Sequence, residues 1–287
     1  MNEGALCAII RAVMSENTEV LTLTIDFHVH CFAPKIAEKA ISQLKDRAEL
    51  EPLTDGLIET TVARFDEWGI DRGVLLSVAT RPTQVKVIND WCAENNGGRF
   101  ISFGTIHPDY EDISAELDRL VSLGLHGVKL HPDYQDFMVD EDRIDFLYDE
   151  IERRDLPVIL HAGFDVFSPE LVHCPPERAL HMIKKHPHLK VILAHLGGND
   201  SHQQVCDILA GVDGEVYFDT AFTGRYLTDA LMEKIIRKHG ADRILFASDC
   251  PWDSPAEIKK KILRLGISDD DKEKIFSQNA LRLLGNV

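Results

Sequence analysis

Two histidines stand one residue apart at the end of an apolar run, in LTLTIDFHVH from Leu21 to His30. In a strand, side chains two residues apart share a face, so His28 and His30 both aim at one point beyond the strand's carboxyl end. That is the spacing of a two-imidazole claw for a metal ion. Taken alone, an HxH pair is also what ordinary polar rim residues look like. Here four further apolar runs finish in the same way: GVKLHP carries Lys129 and His131, DLPVILHAG ends on His161, LKVILAHLGG on His195, and DRILFASDCPW on Asp249. Five runs ending on ligand-type side chains call for a shared cause, and strands converging on a metal supply one.

Apolar runs rich in Val, Ile, Leu and Phe recur at about 22–28, 72–78, 99–106, 126–131, 157–161, 190–195, 215–220 and 243–249. Near-continuous hydrophobicity marks strands buried on both faces, as in a parallel sheet, and eight is a number that closes a barrel. Segments of helical period separate them. Ile58, Val62 and Phe65 precede a stop at Gly69; Ile113, Leu117 and Leu120 precede Gly124. The pattern predicts an α/β fold, a (β/α)8 TIM barrel, as one domain over residues 1–287, with residues 1–22 as an N-terminal extension. The long first connection predicts an extra helix after strand 1. A C-terminal helix is expected near 269–284, packed on the outside, with the acidic run Asp269 to Asp271 at its N-terminus.

Composition narrows the function classes. A formal charge of −17 over 287 residues argues against nucleic acid as a partner, because phosphate backbones are bound by clustered Lys and Arg. No stretch reaches the roughly 18 apolar residues of a membrane span. The six cysteines are widely spaced with no CxxC pair, which fits reduced thiols and a cytoplasmic protein. A small-molecule substrate is the expected partner, and homo-oligomerisation stays open.

In barrels of this kind the active site lies at the carboxyl ends of the strands, where His28, His30, Lys129, His131, His161, His195 and Asp249 all map. Imidazoles and a carboxylate around an open position suit a divalent metal, zinc first, with manganese or iron as alternatives. Such an ion lowers the pKa of its bound water or polarises a substrate oxygen. His28, His30, His161 and Asp249 are the expected ligands. Asp249 doubles as a proton carrier, and His195 either hydrogen-bonds the nucleophile or holds a second ion.

These motifs, with HAG, AHLGG and SDCPW, resemble the amidohydrolase superfamily, and in particular its amidohydrolase-related (amidohydrolase 2) branch, which contains aminocarboxymuconate-semialdehyde decarboxylase-like enzymes. The resemblance runs from about Thr24 to Gly285. It implies two arrangements. In decarboxylase-like members, the matches of His28, His30, His161 and Asp249 hold one metal and the match of His195 assists catalysis. In dihydroorotase-like members, a strand-four lysine in a motif similar to KLHP is carboxylated and bridges two metals, which would give Lys129 that role and place His161 and His195 on the second ion. The resemblance implies a metal-dependent hydrolase that activates a metal-bound water to cleave a C–N or C–O bond of a small, carboxylate-bearing molecule. The alternative is a metal-dependent non-oxidative decarboxylase in the same pocket.

Substrate binding is expected from Lys129 and His131, and from His107, Arg81 and Arg225, the last three just beyond strand ends, where guanidinium and ammonium groups suit a carboxylate. Asp219 is placed to orient a ligand histidine. His173, His181, His186, His188, His202 and His239 are read as surface residues. A barrel that binds metal without turnover would lack a ligand or an acid/base group, and none is missing.

Overall fold

The computed structural model describes residues 23–285. The extension expected over residues 1–22 lies outside the described residues. Strand β1 (Ile25–Val29) is followed by helices α1 (Pro34–Ala48) and α2 (Ile58–Trp68), and β2 (Arg72–Leu75) by α3 (Val85–Glu94). The third strand position is broken into β3 (Phe100–Ser102) and β4 (Gly104–Thr105), ahead of α4 (Ile113–Ser122). Next come β5 (Val128–Leu130), the one-turn α5 (Pro132–Gln135) and α6 (Asp145–Glu152), then β6 (Val158–Leu160) with α7 (Pro176–Lys185), and β7 (Val191–Leu193). Strand β8 (Val216–Asp219) leads to α8 (Asp229–His239), and β9 (Ile244–Leu245) to α9 (Pro255–Arg264). The last helical stretch runs from α10 (Asp269–Glu273) to α11 (Asn279–Leu284). Its start is capped by Ser268, whose side chain accepts from the Asp271 N–H, with the acidic residues in the first turn where the helix dipole favours them.

Sequence-adjacent strands pair in parallel, β1 to β3 and β4 to β9. Backbone hydrogen bonds join the two sheets into a ring. At the break, Phe103 N donates to Leu75 O at 3.1 Å and Gly104 N to Gly127 O at 2.9 Å. At the other seam, Phe27 N donates to Phe246 O (2.8 Å), Asp249 N to His28 O (3.0 Å) and His30 N to Cys250 O (2.7 Å). The fold is the (β/α)8 barrel that the run of eight apolar segments predicts, with α1 as the extra helix after strand 1.

Alternation along the strands sorts side chains into two apolar layers. Val158, Leu160, Val191, Leu193, Val216 and Phe218 pack outward against helix residues such as Leu147, Met182 and Ile235. Ile159, Ile192, Tyr217, Val74, Ile101 and Leu245 fill the interior. Each fully buried large apolar side chain is worth about 1.5–3 kcal/mol, so the two layers dominate stability. Continuing the inward phase by two residues carries β6 from Ile159 to His161, β8 from Tyr217 to Asp219, and the last strand from Leu245 through Ala247 to Asp249. Lys129 lies between the outward Val128 and Leu130 and therefore also points inward.

Strand β1 departs from this alternation. Ile25 and Phe27 face the interior, yet so do His28 and His30, and the pairing with β2 slips in register between Asp26 and Val29. A bulge re-aims side chains in this way, and here it turns the claw inward. The C-terminal helix also differs from expectation. Ile275 and Phe276 pack on the outside, but Ala280 and Leu283 join the interior cluster at the strands' amino ends. Asn279 Nδ2 donates to the carbonyls of Ala241 and Ile244, each at 2.7 Å. The helix therefore closes the bottom of the barrel and leaves the other end for chemistry.

Gly163, in HAG, has φ +87°, and a Cβ there would stand 2.1 Å from Asn199 N. The loops after β6 and β7 meet at that point, where Asn199 N donates to Ala162 O and Phe164 N to Asn199 O. Replacement Gly163→Ala is expected to lower stability by roughly 2 kcal/mol or more, since it combines a left-handed backbone with a backbone collision. Urea unfolding beside the parent protein checks this.

Candidate active site

His28 is buried, with Nδ1 2.8 Å from Asp219 Oδ2. Its Nε2 lies 3.1 Å from His30 Nε2, 3.4 Å from Asp249 Oδ1 and 3.5 Å from Lys129 Nζ. His30 Nδ1 donates to the Leu76 carbonyl at 3.0 Å. A carbonyl only accepts, so in neutral His30 the proton is on Nδ1 and Nε2 presents a bare lone pair. Burial, then Lys129 and the neighbouring histidines, hold His28 neutral, its pKa well below the usual imidazole value. With Nδ1 donating to Asp219, its Nε2 is bare too. Two imidazole lone pairs and a carboxylate oxygen therefore meet with separations of 3.1, 3.4 and 3.1 Å. Donors at about 2.1 Å from one ion stand about 3.0 Å apart at an octahedral edge and about 3.4 Å at a tetrahedral one. The trio fits a divalent metal.

Lys129 is 1% exposed, and burial pulls its ammonium down to about 8 against the opposing fields of Asp219, Asp249 and Asp165. Asp219, fully buried, is pushed up to about 7 by burial, against the backbone N–H groups of His195 and Ala221 and the charge of Lys129. Its Oδ1 accepts from both of those N–H groups, at 2.9 and 3.0 Å, so one carboxylate orients His28 and anchors the main chain at His195. His195 Nδ1 donates to the Ala221 carbonyl at 3.2 Å, leaving Nε2 bare and 3.0 Å from His161 Nδ1. Burial lowers His195 to about 4 and His161 well below the usual range. Asp249 and His195 sit at strand ends with φ of 71° and 58°, so two site residues occupy strained backbone.

A second group able to hold an ion among the described residues is His131, His161 and Asp165. Its geometry suits a chelate less well. The His131 ring lies parallel to that of His161, centroids 4.2 Å apart, and lone pairs that lie in parallel stacked planes do not converge on one ion. Asp165 Oδ2 stands 3.7 Å from His131 Nε2 and 3.8 Å from His161 Nε2, and burial raises its carboxyl to about 6.

The sequence matches the amidohydrolase family model over residues 25–285. The chain belongs to the amidohydrolase family. No curated protein matches it. Among solved structures it is similar to an uncharacterized TIM-barrel protein from Bordetella bronchiseptica, with 21% identity and a TM-score of 0.73 over 91% of this chain and 98% of that one. It is also similar to the 5-carboxyvanillate decarboxylase of Sphingomonas paucimobilis, with 18% identity and a TM-score of 0.66 over 92% and 99%. A third is a dihydroxybenzoic acid decarboxylase from Polaromonas, solved with manganese and 2-nitroresorcinol, with 19% identity and a TM-score of 0.68 over 92% and 97%. At these identities the likeness shows the barrel fold and nothing finer.

Against the expected site, the structure brings His28, His30 and Asp249 together with Lys129, and His161 together with His195, His131 and Asp165. His131 is buried and immediately precedes α5, and Gln135 Oε1 accepts from its N–H. His107 is buried, its Nδ1 accepting from Asp109 N at 3.1 Å. Arg81 and Arg225 are exposed, and Arg225 stands 3.7 Å from Asp253. Cys31 and Cys250 are packing residues in the outer core.

The surface reading of several histidines is corrected. His173 is buried against Asp133 Oδ1 at 3.0 Å, and His186 pairs with Asp145 at 3.1 Å. His239 stacks on Phe218 with centroids 3.9 Å apart, and His202 Nε2 meets His195 O at 3.1 Å. Loop and helix histidines near strand ends found acceptors that sequence spacing does not reveal. The strand-end pattern does not single out Asp165 or Tyr134, whose hydroxyl bonds Asp165. Asp165 stands four residues after His161 in HAGFD, which is the signal that was there.

A histidine lowered on folding costs stability as pH falls. His195 should make the parent lose up to about 3 kcal/mol relative to His195→Asn between pH 6.5 and about 4, with no difference accruing above pH 6.5. Urea unfolding of both proteins with chelator present, across that range, measures the gap.

Proposed function

We propose that this amidohydrolase is a metal-dependent hydrolase cleaving a C–N or C–O bond of a small, carboxylate-bearing molecule. The observation that supports this most is Lys129: a fully buried amine 3.5 Å from His28 Nε2, in the combined field of Asp249 from the first group and Asp165 from the second. An amine held there gains more from becoming a carbamate than from staying an ammonium beside a cation. Adding carbon dioxide forms an N–C bond, releases one proton and turns the side chain into an anionic bridge. On this reading His28, His30 and Asp249 hold one divalent ion, zinc by preference, and His161 and His195 hold a second, with the Lys129 carbamate shared between them.

The bound ions would polarise a substrate oxygen and lower the pKa of water to near neutrality. Asp249, the partly exposed carboxylate of its trio, would take the proton from the attacking water and return it to the leaving group. His195, fixed through Nδ1, offers Nε2 to the reacting oxygen. Asp219 keeps His28 in the tautomer the site needs. On this reading His131 and His107 would meet the substrate carboxylate, with the exposed Arg81 and Arg225 as further anchors.

The second reading is non-oxidative decarboxylation, favoured by the decarboxylases among the similar structures. It needs one ion and leaves Lys129 as an amine facing the substrate carboxylate. Elemental analysis of protein purified without chelator separates the two. Hydrolysis with a bridging carbamate predicts two equivalents of metal that fall on carbon dioxide depletion, return with bicarbonate, and are absent from Lys129→Ala. One equivalent, indifferent to carbon dioxide, would move the reading to decarboxylation; no metal would remove both.

Asp219→Asn is expected to weaken metal binding by about 10–100-fold while the fold survives, because it loosens the His28 tautomer without deleting a ligand. Chelator competition measures the affinity.

A further inference from the structure

Asp26 has no part in the scheme above, yet it is a fully buried carboxylate one residue before the bulge that aims the claw. Its Oδ1 accepts the backbone N–H of His28 at 3.2 Å and that of Ser248 at 2.9 Å. Its Oδ2 accepts from the Ser248 hydroxyl at 2.5 Å. That hydroxyl in turn accepts the N–H of Cys250 at 3.0 Å. The carboxylate thus holds the main chain at His28 on one strand and, directly or through Ser248, on both sides of Asp249 on the other. These two strands meet at the seam that closes the barrel, and their ends carry all three members of the trio.

From this arrangement we infer that Asp26 is a positioning residue for the ion site: it clamps β1 to the chain leaving β9 so that His28, His30 and Asp249 converge at chelating distance. The bulge demands such a group. Where a strand slips register, N–H groups lose their ladder partners, and a buried N–H without an acceptor forfeits its hydration with nothing in return. A carboxylate accepts several donors at once, which an amide or hydroxyl at this position does less well. The seam bonds from Asp249 N to His28 O and from His30 N to Cys250 O flank the clamp, so a shift at Asp26 passes directly into the separation of the claw's two arms. In the trio, a displacement of a few tenths of an ångström alters every ligand-to-ligand edge.

The inference rests on the proposed ion site, and the test distinguishes the two. Cobalt(II) is added to metal-stripped parent, Asp26→Asn, Asp26→Ala and Ser248→Ala. Affinity is read by chelator competition, and the visible ligand-field spectrum is recorded at saturation. Each variant's fold is followed by circular dichroism. Asp26→Ala is expected to bind at least about tenfold more weakly than the parent, with a changed spectrum even when fully loaded. Asp26→Asn and Ser248→Ala, which keep part of the clamp, are expected to show smaller shifts of the same kind, and they carry the test if Asp26→Ala does not fold. A role in stability alone would lower the unfolding midpoint and leave the saturated spectrum unchanged, which would overturn the inference. Parent-like affinity and spectrum in the folded variants would also overturn it. A parent that binds no cobalt would overturn the ion site, and the inference with it.

Discussion

Two imidazole nitrogens and a carboxylate oxygen, each presenting a lone pair and held 3.1–3.4 Å apart, repel one another. That convergence is the constraint on which the upper half of this barrel depends. Leu76 O and Asp219 take the outward protons of His30 and His28, so neither ring relieves the repulsion by turning its N–H inward without stranding a buried acceptor. The strands supply the rigidity. Parallel pairing closed by the seam between Phe27 and Phe246 keeps the ends from spreading, and the sealed bottom at Ala280 and Leu283 leaves one open end. The cost of gathering these groups is met by the two apolar layers, and a cation would return part of it.

Burial explains the titration of the most deeply enclosed groups around the site. His28, His131, His161 and His195 are all pushed toward the neutral form, Lys129 toward the amine, and Asp219 and Asp165 toward the acid. Desolvation is the leading cause in each case, with the neighbouring charges secondary. Neutral imidazoles are ligands and imidazolium ions are not. The same low-dielectric setting that makes the metal-free site uncomfortable therefore prepares it to bind.

The eight strands, the added helix and the amidohydrolase membership were legible because they are written in apolar runs and in side chains at their ends. The inward aim of Lys129, His161 and Asp219 follows from simple alternation, which the sequence shows directly. What alternation hides is the slip in β1. On a regular strand Phe27 and His28 face opposite ways, so the bulge and Asp26's part in it appear only once both seams are drawn. Asp165 and His173 escaped for another reason: they lie in the irregular loop after β6, where no period ties a residue's number to its direction. The C-terminal helix was placed in sequence and misplaced in space, because Ala280 and Leu283 read equally well as a face against other helices.

Lys129 and an ion on His28 are not independent. A divalent ion at that site and an ammonium about 4 Å away would repel by on the order of 8 kcal/mol at an effective dielectric of about 20. Metal binding therefore favours the neutral amine, which is the only form that adds carbon dioxide. A carbamate there would change the sign of the side chain, and repulsion would become attraction toward the first ion and toward any second ion held by His161 and His195. On the proposed reading each step would make the next more favourable, so a binuclear state would form cooperatively or scarcely at all. A site with one ion and a free amine is its natural alternative, since a substrate carboxylate can supply the negative charge that the carbamate otherwise brings. Hydrolysis and decarboxylation thus differ here by which carboxyl group sits beside Lys129, one added to its own nitrogen or one carried in by the substrate.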